Sequence, residues 1–136
     1  MALNFVSNSR QIPSKDEICA NKKYYDILYA YFQCISEPVD KEKGDMRRIF
    51  PKKEVNFTKL GKIFSLTRQT VSTKFKNLKD LGLIVDFNEE YYMLIRLEDS
   101  DATLIPYKTL KVLTDALSEN SISAYVYLFN RYWKTE

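Results

Sequence analysis

The chain has 136 residues, of which 45% are hydrophobic, and a formal net charge of +3 at pH 7. That length suits one compact domain, and no stretch reaches the roughly eighteen apolar residues that a membrane span needs, so no membrane contact is expected. With no histidine, three glycines and no G-x-x-x-x-G-K-[ST] motif, the chain lacks the parts of a nucleophilic triad or a phosphate-cradling loop, and we expect neither an enzyme nor a bound cofactor.

The N-terminal part contains one strong helical pattern and no secretory signal, so we expect a cytoplasmic protein. In "SKDEICANKKYYDILYAYFQCIS", Ser14 and Glu17 have the spacing of a capping box at a helix start. Cys19 and Cys34 lack a C-x-x-C motif or a histidine nearby, so reduced core thiols are predicted rather than a disulfide framework or a metal site. The apolar residues at helical spacing, which predict a core helix, are Tyr24, Leu28, Tyr31, Phe32 and Ile35.

A loop with one short strand is predicted next. The segment "SEPVDKEKGDMRRIFPKKEVN" has breakers at Pro38 and Gly44 and mixed charges. Within it, "MRRIF" alternates enough to form a strand that Pro51 stops. Arg47 and Arg48 on this strand either point toward a bound polyanion or belong to a solvated surface strand, and the second alternative is favoured.

Residues 51–82 are the basic part of the chain. They carry eight lysines and arginines against two acidic residues, whereas residues 1–50 carry eight against seven and residues 83–136 carry five against nine. A basic segment between near-neutral and acidic neighbours is typical of a phosphate-binding surface. The alternative, that these cations only solvate an exposed helix face, stays open at this point.

Two helices joined by a turn are predicted within this basic segment. The run "FTKLGKIF" has its apolar residues on one side of a short helix, and "SLT" then breaks the pattern. Thr67 is a good N-cap for a second helix over about residues 68–81, because its hydroxyl can accept from a backbone N–H. The inward-facing residues of this second helix are predicted to be Val71, Phe75, Leu78 and Leu81.

The opposite face of the second helix carries donor-rich side chains instead of the alternating Glu and Lys of an ordinary solvated helix. Such side chains can read base edges in a major groove, and nearby cations can contact phosphates. The candidate reading residues are Arg68, Gln69, Ser72, Thr73, Lys76 and Asn77. The candidate phosphate contacts, besides Arg68 and Lys76, are Lys53, Lys59, Lys62 and Lys74.

A β-hairpin is predicted to follow. Gly82 ends the second helix, and "LIVDFNEEYYMLIRL" contains two strand-like runs, residues 83–87 and 91–97, around a turn at Asn88. Helix, turn, helix and hairpin together form a winged helix-turn-helix. The predicted fold class is therefore mainly α with a small β-hairpin, as a winged helix-turn-helix domain over residues 1–100 with its wing at about 83–97.

Two more amphipathic helices are predicted in residues 101–136. Pro106 suits the first turn of one, with Leu110, Leu113 and Leu117 inward. "SENS" then breaks the pattern before a second helix. We expect these additional C-terminal helices to pack on the core or to form a homodimer interface, in preference to an unfinished second domain. The apolar residues of the second helix are Ile122, Tyr125, Val126, Phe129 and Trp133.

The stretch "NFTKLGKIFSLTRQTVSTKFKNLKDLGLI" resembles the winged helix-turn-helix of prokaryotic DNA-binding proteins, in which an L-x-x-L-G-L-I ending leads into the wing. With "RRIFPKKEVNFTKLGKIF" and "LIPYKTLKVLTDALSENSISAYVYLFNRYWK", the chain resembles plasmid, phage or mobile-element replication initiators and replisome organisers. The resemblance implies binding to origin repeats and recruitment of host replication proteins. It also implies that the recognition positions are Arg68, Gln69, Ser72, Thr73 and Lys76.

The hairpin tip departs from this resemblance, because Asp86, Glu89 and Glu90 stand where a wing that reads the minor groove would have arginine or lysine. The function we expect is sequence-specific binding of double-stranded DNA through residues 68–81 in replication initiation. A transcriptional repressor is the second hypothesis. The third is a protein-interaction module that tethers a replication factor without contacting DNA.

Overall fold

The computed structural model describes residues 9–13, 27–42, 46–98 and 102–115. They form four α-helices, six β-strands and one short 3-10 turn. In chain order these elements are β1 (Ser9–Pro13), α1 (Ile27–Ile35), β2 (Glu37–Pro38), β3 (Arg48–Pro51), the 3-10 turn (Lys52–Glu54), α2 (Phe57–Phe64), α3 (Arg68–Asp80), β4 (Ile84–Asp86), β5 (Tyr91–Leu94), β6 (Ala102–Pro106) and α4 (Tyr107–Asp115).

The predicted fold class, a mainly α winged helix-turn-helix with one small hairpin and additional C-terminal helices, is wrong. The described residues have an α/β fold with two antiparallel sheets, one of two strands and one of four. The hairpin is not separate, because β2 and β3 extend it into a sheet with the order β2-β3-β5-β4. A second sheet, formed by β1 and β6, lies outside any predicted strand.

The four-stranded sheet aligns three side chains in one row across β3, β5 and β4. Phe50 of β3 and Asp86 of β4 both lie opposite Tyr92 of β5. Residues directly opposite each other in adjacent strands have side chains on the same face of the sheet. Phe50 is fully buried and Asp86 is exposed, so this row of side chains runs from the core to the solvent.

The β1–β6 sheet depends on contacts between distant parts of the sequence. Ser9–Pro13 pairs with Ala102–Pro106 over all five residues, and neither "SRQIP" nor "ATLIP" has the alternation of a half-buried strand. The side chain of Gln11 attaches this sheet to the chain after the hairpin. Its Nε2 donates to the Leu97 carbonyl oxygen over 2.9 Å, and its Oε1 accepts from the Leu97 N–H over 2.8 Å.

The predicted pair of helices in the basic segment is confirmed. Asn56 caps α2 by accepting from the Lys59 N–H, and Thr67 caps α3 by accepting from the Thr70 N–H. Gly61 makes the tight connection between the helices possible, because a Cβ at this position would lie 2.5 Å from the Leu66 carbonyl oxygen.

The end of α3 and the hairpin also agree with the prediction in outline. Gly82 has a φ of 75°, its N–H donates to the Lys79 carbonyl oxygen, and the Leu83 N–H donates to that of Leu78. This is the Schellman arrangement that ends a helix. Asn88 forms the predicted turn by accepting from two backbone N–H groups. Leu81 differs from the prediction, because it lies beyond the last helical residue and is exposed.

An aromatic core holds α1, α3 and the four-stranded sheet together. Phe32 of α1 stacks on Phe50 with ring centroids 4.4 Å apart and meets Phe75 of α3 edge to face. Phe75 in turn contacts Tyr92 of β5. Val71, Phe75 and Leu78 are all buried, so three of the four predicted inward residues of α3 are confirmed.

Several predictions fall outside the described residues. They concern the capping box of Ser14 and Glu17, Cys19 and Tyr24, and the chain from residue 116 onward. The first C-terminal helix is described from Tyr107 onward; it buries Leu110, while Pro106 belongs to β6.

The thiol of Cys34 is free and half-buried, and its Sγ lies 3.9 Å from Thr114 Oγ1 of α4. Burial raises the pKa of this thiol.

Candidate nucleic-acid interface

Helix α3 presents one polar face to solvent. Its thirteen residues span about 20 Å at 1.5 Å per residue. Because its apolar residues pack inward, the positions between them face outward. Among the six candidate reading residues, Ser72 and Asn77 are half-buried. The exposed members are Arg68, Gln69, Thr73 and Lys76.

The first turn of α3, at the N-terminal end of this face, is capped by hydrogen bonds. The Thr67 side chain accepts from the Thr70 N–H over 3.1 Å, and its hydroxyl lies 2.8 Å from the Thr70 hydroxyl. An N-cap of this kind stabilises the first turn, which carries Arg68 and Gln69. The partial positive charge of a helix N-terminus adds to the attraction for an anion at this end.

The candidate phosphate contacts come from three elements. Lys53 lies on the 3-10 turn, Lys59 and Lys62 lie on α2, and all three are exposed. Lys74 of α3 is half-buried. Lys59 pairs with Glu54 at 3.8 Å, which offsets part of its charge, although an exposed pair at this distance is weak. Lys53 and Lys62 have no ion-pair partner within the described ranges.

The structure also brings together a cationic group that the sequence prediction missed. Lys52 of the 3-10 turn and Lys79 of α3 both lie over the ring of Tyr92, with Nζ atoms 4.9 Å and 5.5 Å from its centroid. Lys52 also pairs with Asp86 at 3.0 Å. Lys52 and Lys79 reach this ring from two elements outside the hairpin, so no local sequence signal could have identified this group.

Arg48 does not have either of the roles predicted for it. Its side chain is buried, and it donates from Nε to the Ser36 hydroxyl and from Nη2 to the Ser36 carbonyl oxygen, both over 2.7 Å. Arg10 is buried next to it and donates to the Gln33 carbonyl oxygen. Burial, followed by the charge of Arg10, lowers the pKa of Arg48 to about 10. These guanidiniums therefore bind carbonyl oxygens at the C-terminal end of α1, where a cation is favourable.

A concave pocket of about 470 Å³ lies between the 3-10 turn and the hairpin tip. Its lining has charges of both signs, so it favours neither an anion nor a cation. The Lys52 N–H donates to the Glu90 carbonyl oxygen across it over 2.8 Å. The lining residues are Pro51, Lys52, Lys53, Glu89, Glu90 and Tyr91.

None of the described helices is both long and apolar enough to cross a membrane. In the described ranges, no three cysteine or acidic side chains are grouped so as to hold a metal ion. Compared with family models, curated protein sequences and solved structures, the chain has no match. The exposed face of α3 and the lysines on neighbouring elements are therefore the basis for assigning a function.

Proposed function

We propose that this protein binds double-stranded DNA by placing α3 in the major groove. The observation that supports this most is the composition of the exposed face of α3. It carries Arg68, Gln69, Thr73 and Lys76, and the only acidic residue of the helix is Asp80 at its last position. An α-helix fits the width of a B-DNA major groove.

The side chains of the first turn have the chemistry for reading bases. A guanidinium can bridge the O6 and N7 atoms of guanine, and a primary amide can bridge the N6 and N7 atoms of adenine. Each such pair discriminates against a wrong base by about 1–3 kcal/mol. Arg68 and Gln69 would supply specificity, while the lysines would supply affinity that does not depend on sequence.

Replication initiation is the biological role we propose for this binding, with host replication proteins as partners and a homodimer as the assembly. The resemblance to replication initiators and replisome organisers supports it. A transcriptional repressor would use the same surface. A module that tethers a replication factor without DNA is disfavoured, because residues 51–82 have an excess of six positive charges.

Salt dependence tests the claim of DNA binding. With about six phosphate contacts, log K for a random duplex should fall against log salt with a slope of about −5. Lys62→Gln should weaken binding to every duplex and reduce the slope by about one. Lys108→Gln, an equal charge change on α4, serves as the control and should alter neither. A slope near zero for the wild-type protein would reject DNA binding and favour the protein-interaction module.

Selection from randomised duplex tests the reading residues. The wild-type protein should enrich a short motif, and Arg68→Ala and Gln69→Ala should each relax one or two positions of it. The salt slope should change by no more than about one unit in either variant. If both variants keep the complete motif while Asn88→Ala erases it, the hairpin reads the DNA and α3 does not.

A further inference from the structure

Two ammonium groups from separate elements lie over the Tyr92 ring. Lys52 comes from the 3-10 turn and Lys79 from the last turn of α3. Lys79 lies one helical turn after Phe75 and is also 5.8 Å from that ring. An ammonium group over an aromatic face is attracted by the negative charge of the ring face. The ring contacts therefore hold in place two ammonium groups that would otherwise move freely on long side chains.

A carboxylate already lies against one of these two cations, Lys52. Asp86 Oδ1 is 3.0 Å from Lys52 Nζ, and the Asp86 side chain is 68% exposed, so another anion can reach the same position. The hydrogen bond from Lys52 lowers the pKa of the Asp86 carboxyl, followed by the charge of Lys52 and then that of Lys79. Both lysines therefore act on the one carboxylate.

The ion pair is not required to attach the hairpin to the 3-10 turn. The Lys52 N–H already donates to the Glu90 carbonyl oxygen, and β3 pairs with β5 up to Pro51 and Tyr91. An exposed pair such as Lys52 and Asp86 contributes little to folding stability. The placement of the two ammonium groups beside Asp86 is better explained by an anion that they can bind.

We propose that Lys52 and Lys79, held by the Tyr92 ring, form a second contact site for a DNA backbone phosphate, which the Asp86 carboxylate occupies in the free protein. This inference rests on the proposed DNA binding. A phosphate oxygen carries negative charge and accepts hydrogen bonds as a carboxylate does, so it can replace Asp86. The site would continue the cationic surface from the N-terminal to the C-terminal end of α3. Asp86 would then weaken DNA binding by competing for the lysines.

The test is the affinity of the full chain for a random duplex, measured by fluorescence anisotropy over a series of salt concentrations. Asp86→Asn should bind roughly fivefold more tightly than wild type, because a competing exposed ion pair is lost. Its salt slope should be steeper by about one unit. Glu89→Gln is the matched control, since it removes one negative charge from the same hairpin, and it should change affinity by less than about twofold.

A protein that lacks both lysines shows whether the gain in DNA affinity depends on them. In Lys52→Gln/Lys79→Gln protein, adding Asp86→Asn should have no larger effect than Glu89→Gln. Asp86→Ser should reproduce the gain of Asp86→Asn in the wild-type background. Thermal melting of each variant identifies any that fails to fold.

The outcomes separate the two proposals. A salt slope near zero for the wild-type protein would remove the proposed function itself. If the wild-type protein binds DNA but Asp86→Asn and Glu89→Gln have equal effects, the carboxylate acts only through net charge and the site is rejected. A gain that persists in the background without both lysines would also overturn the site.

Discussion

Ser65 has a backbone conformation that costs free energy for any residue with a Cβ. Its φ is 56°, in the left-handed region, where it ends α2 before the turn to α3. Glycine is the residue usually found at such positions. We expect Ser65→Gly to raise the free energy of unfolding by about 1 kcal/mol, measured by urea denaturation. Ser65→Ala keeps the Cβ and is the control, so an equal gain in both variants would contradict this explanation.

The phenol of Tyr29 should make the stability of the protein depend on pH in the alkaline range. Its phenol is fully buried in α1, and burial raises its pKa from 10.0 to about 12, although the hydrogen bond with Gln33 opposes this. Between these values the unfolded chain releases a proton that the folded protein retains. The free energy of unfolding should therefore decrease as pH rises from about 10 to 12, by up to about 3 kcal/mol.

The variant Tyr29→Phe isolates this contribution. It has no proton to release, so its stability should fall less than that of wild type across the same alkaline range. The unfolding free energy of each protein is expressed relative to its own value at pH 8. The stability that Tyr29→Phe loses with the Gln33 hydrogen bond then cancels. Parallel stability curves for wild type and Tyr29→Phe above pH 10 would show that another group dominates.

At the scale of elements, α2 and α3 depend on a close approach that excludes a methyl group. Alanine is a better helix former than glycine by about 1 kcal/mol. We nevertheless expect Gly61→Ala to destabilise the protein by about 1–3 kcal/mol, because its Cβ would meet the Leu66 carbonyl oxygen, which belongs to rigid backbone.

Gly82→Ala is the matched control for that variant. A Cβ at Gly82 would meet nothing within 4 Å, so only the φ of 75° opposes the substitution. Its cost should be about 1–2 kcal/mol. Melting curves of both variants measure the two effects. An increase in melting temperature for Gly61→Ala would show that the helices do not approach as closely as described.

For the molecule as a whole, Gln11 attaches the β1–β6 sheet to the chain that follows the hairpin. Gln11→Leu would leave the backbone N–H and carbonyl of Leu97 without their side-chain partner. Because the cost of an unsatisfied buried polar group is about 1–3 kcal/mol, we expect a loss of about 2–4 kcal/mol in unfolding free energy. Gln69→Leu, the same substitution on the exposed face of α3, should change stability by less than about 0.5 kcal/mol. Equal effects would mean that the connection contributes nothing.

Local sequence patterns were sufficient to predict the elements in residues 57–94. The caps at Thr67 and Gly82, three of the four predicted inward residues of α3 and the turn at Asn88 all depend on neighbours within a few positions. Exposure of Arg68 and Gln69 followed from the same helical periodicity. Local hydrogen bonds and periodic burial act over short distances along the chain, so a linear pattern is sufficient to predict them.

The fold class, the burial of Arg48 and the group around Tyr92 depend instead on contacts between distant parts of the chain. The β1–β6 sheet joins residues about ninety positions apart, and each strand has its hydrogen-bond partners only when the other is present. Arg48 is surrounded by groups from β1, α1 and α4, so its environment cannot be read from "MRRIF". Lys52 and Lys79 reach the Tyr92 ring because β3 pairs with β5 and α3 packs on the sheet, and no local pattern encodes either contact.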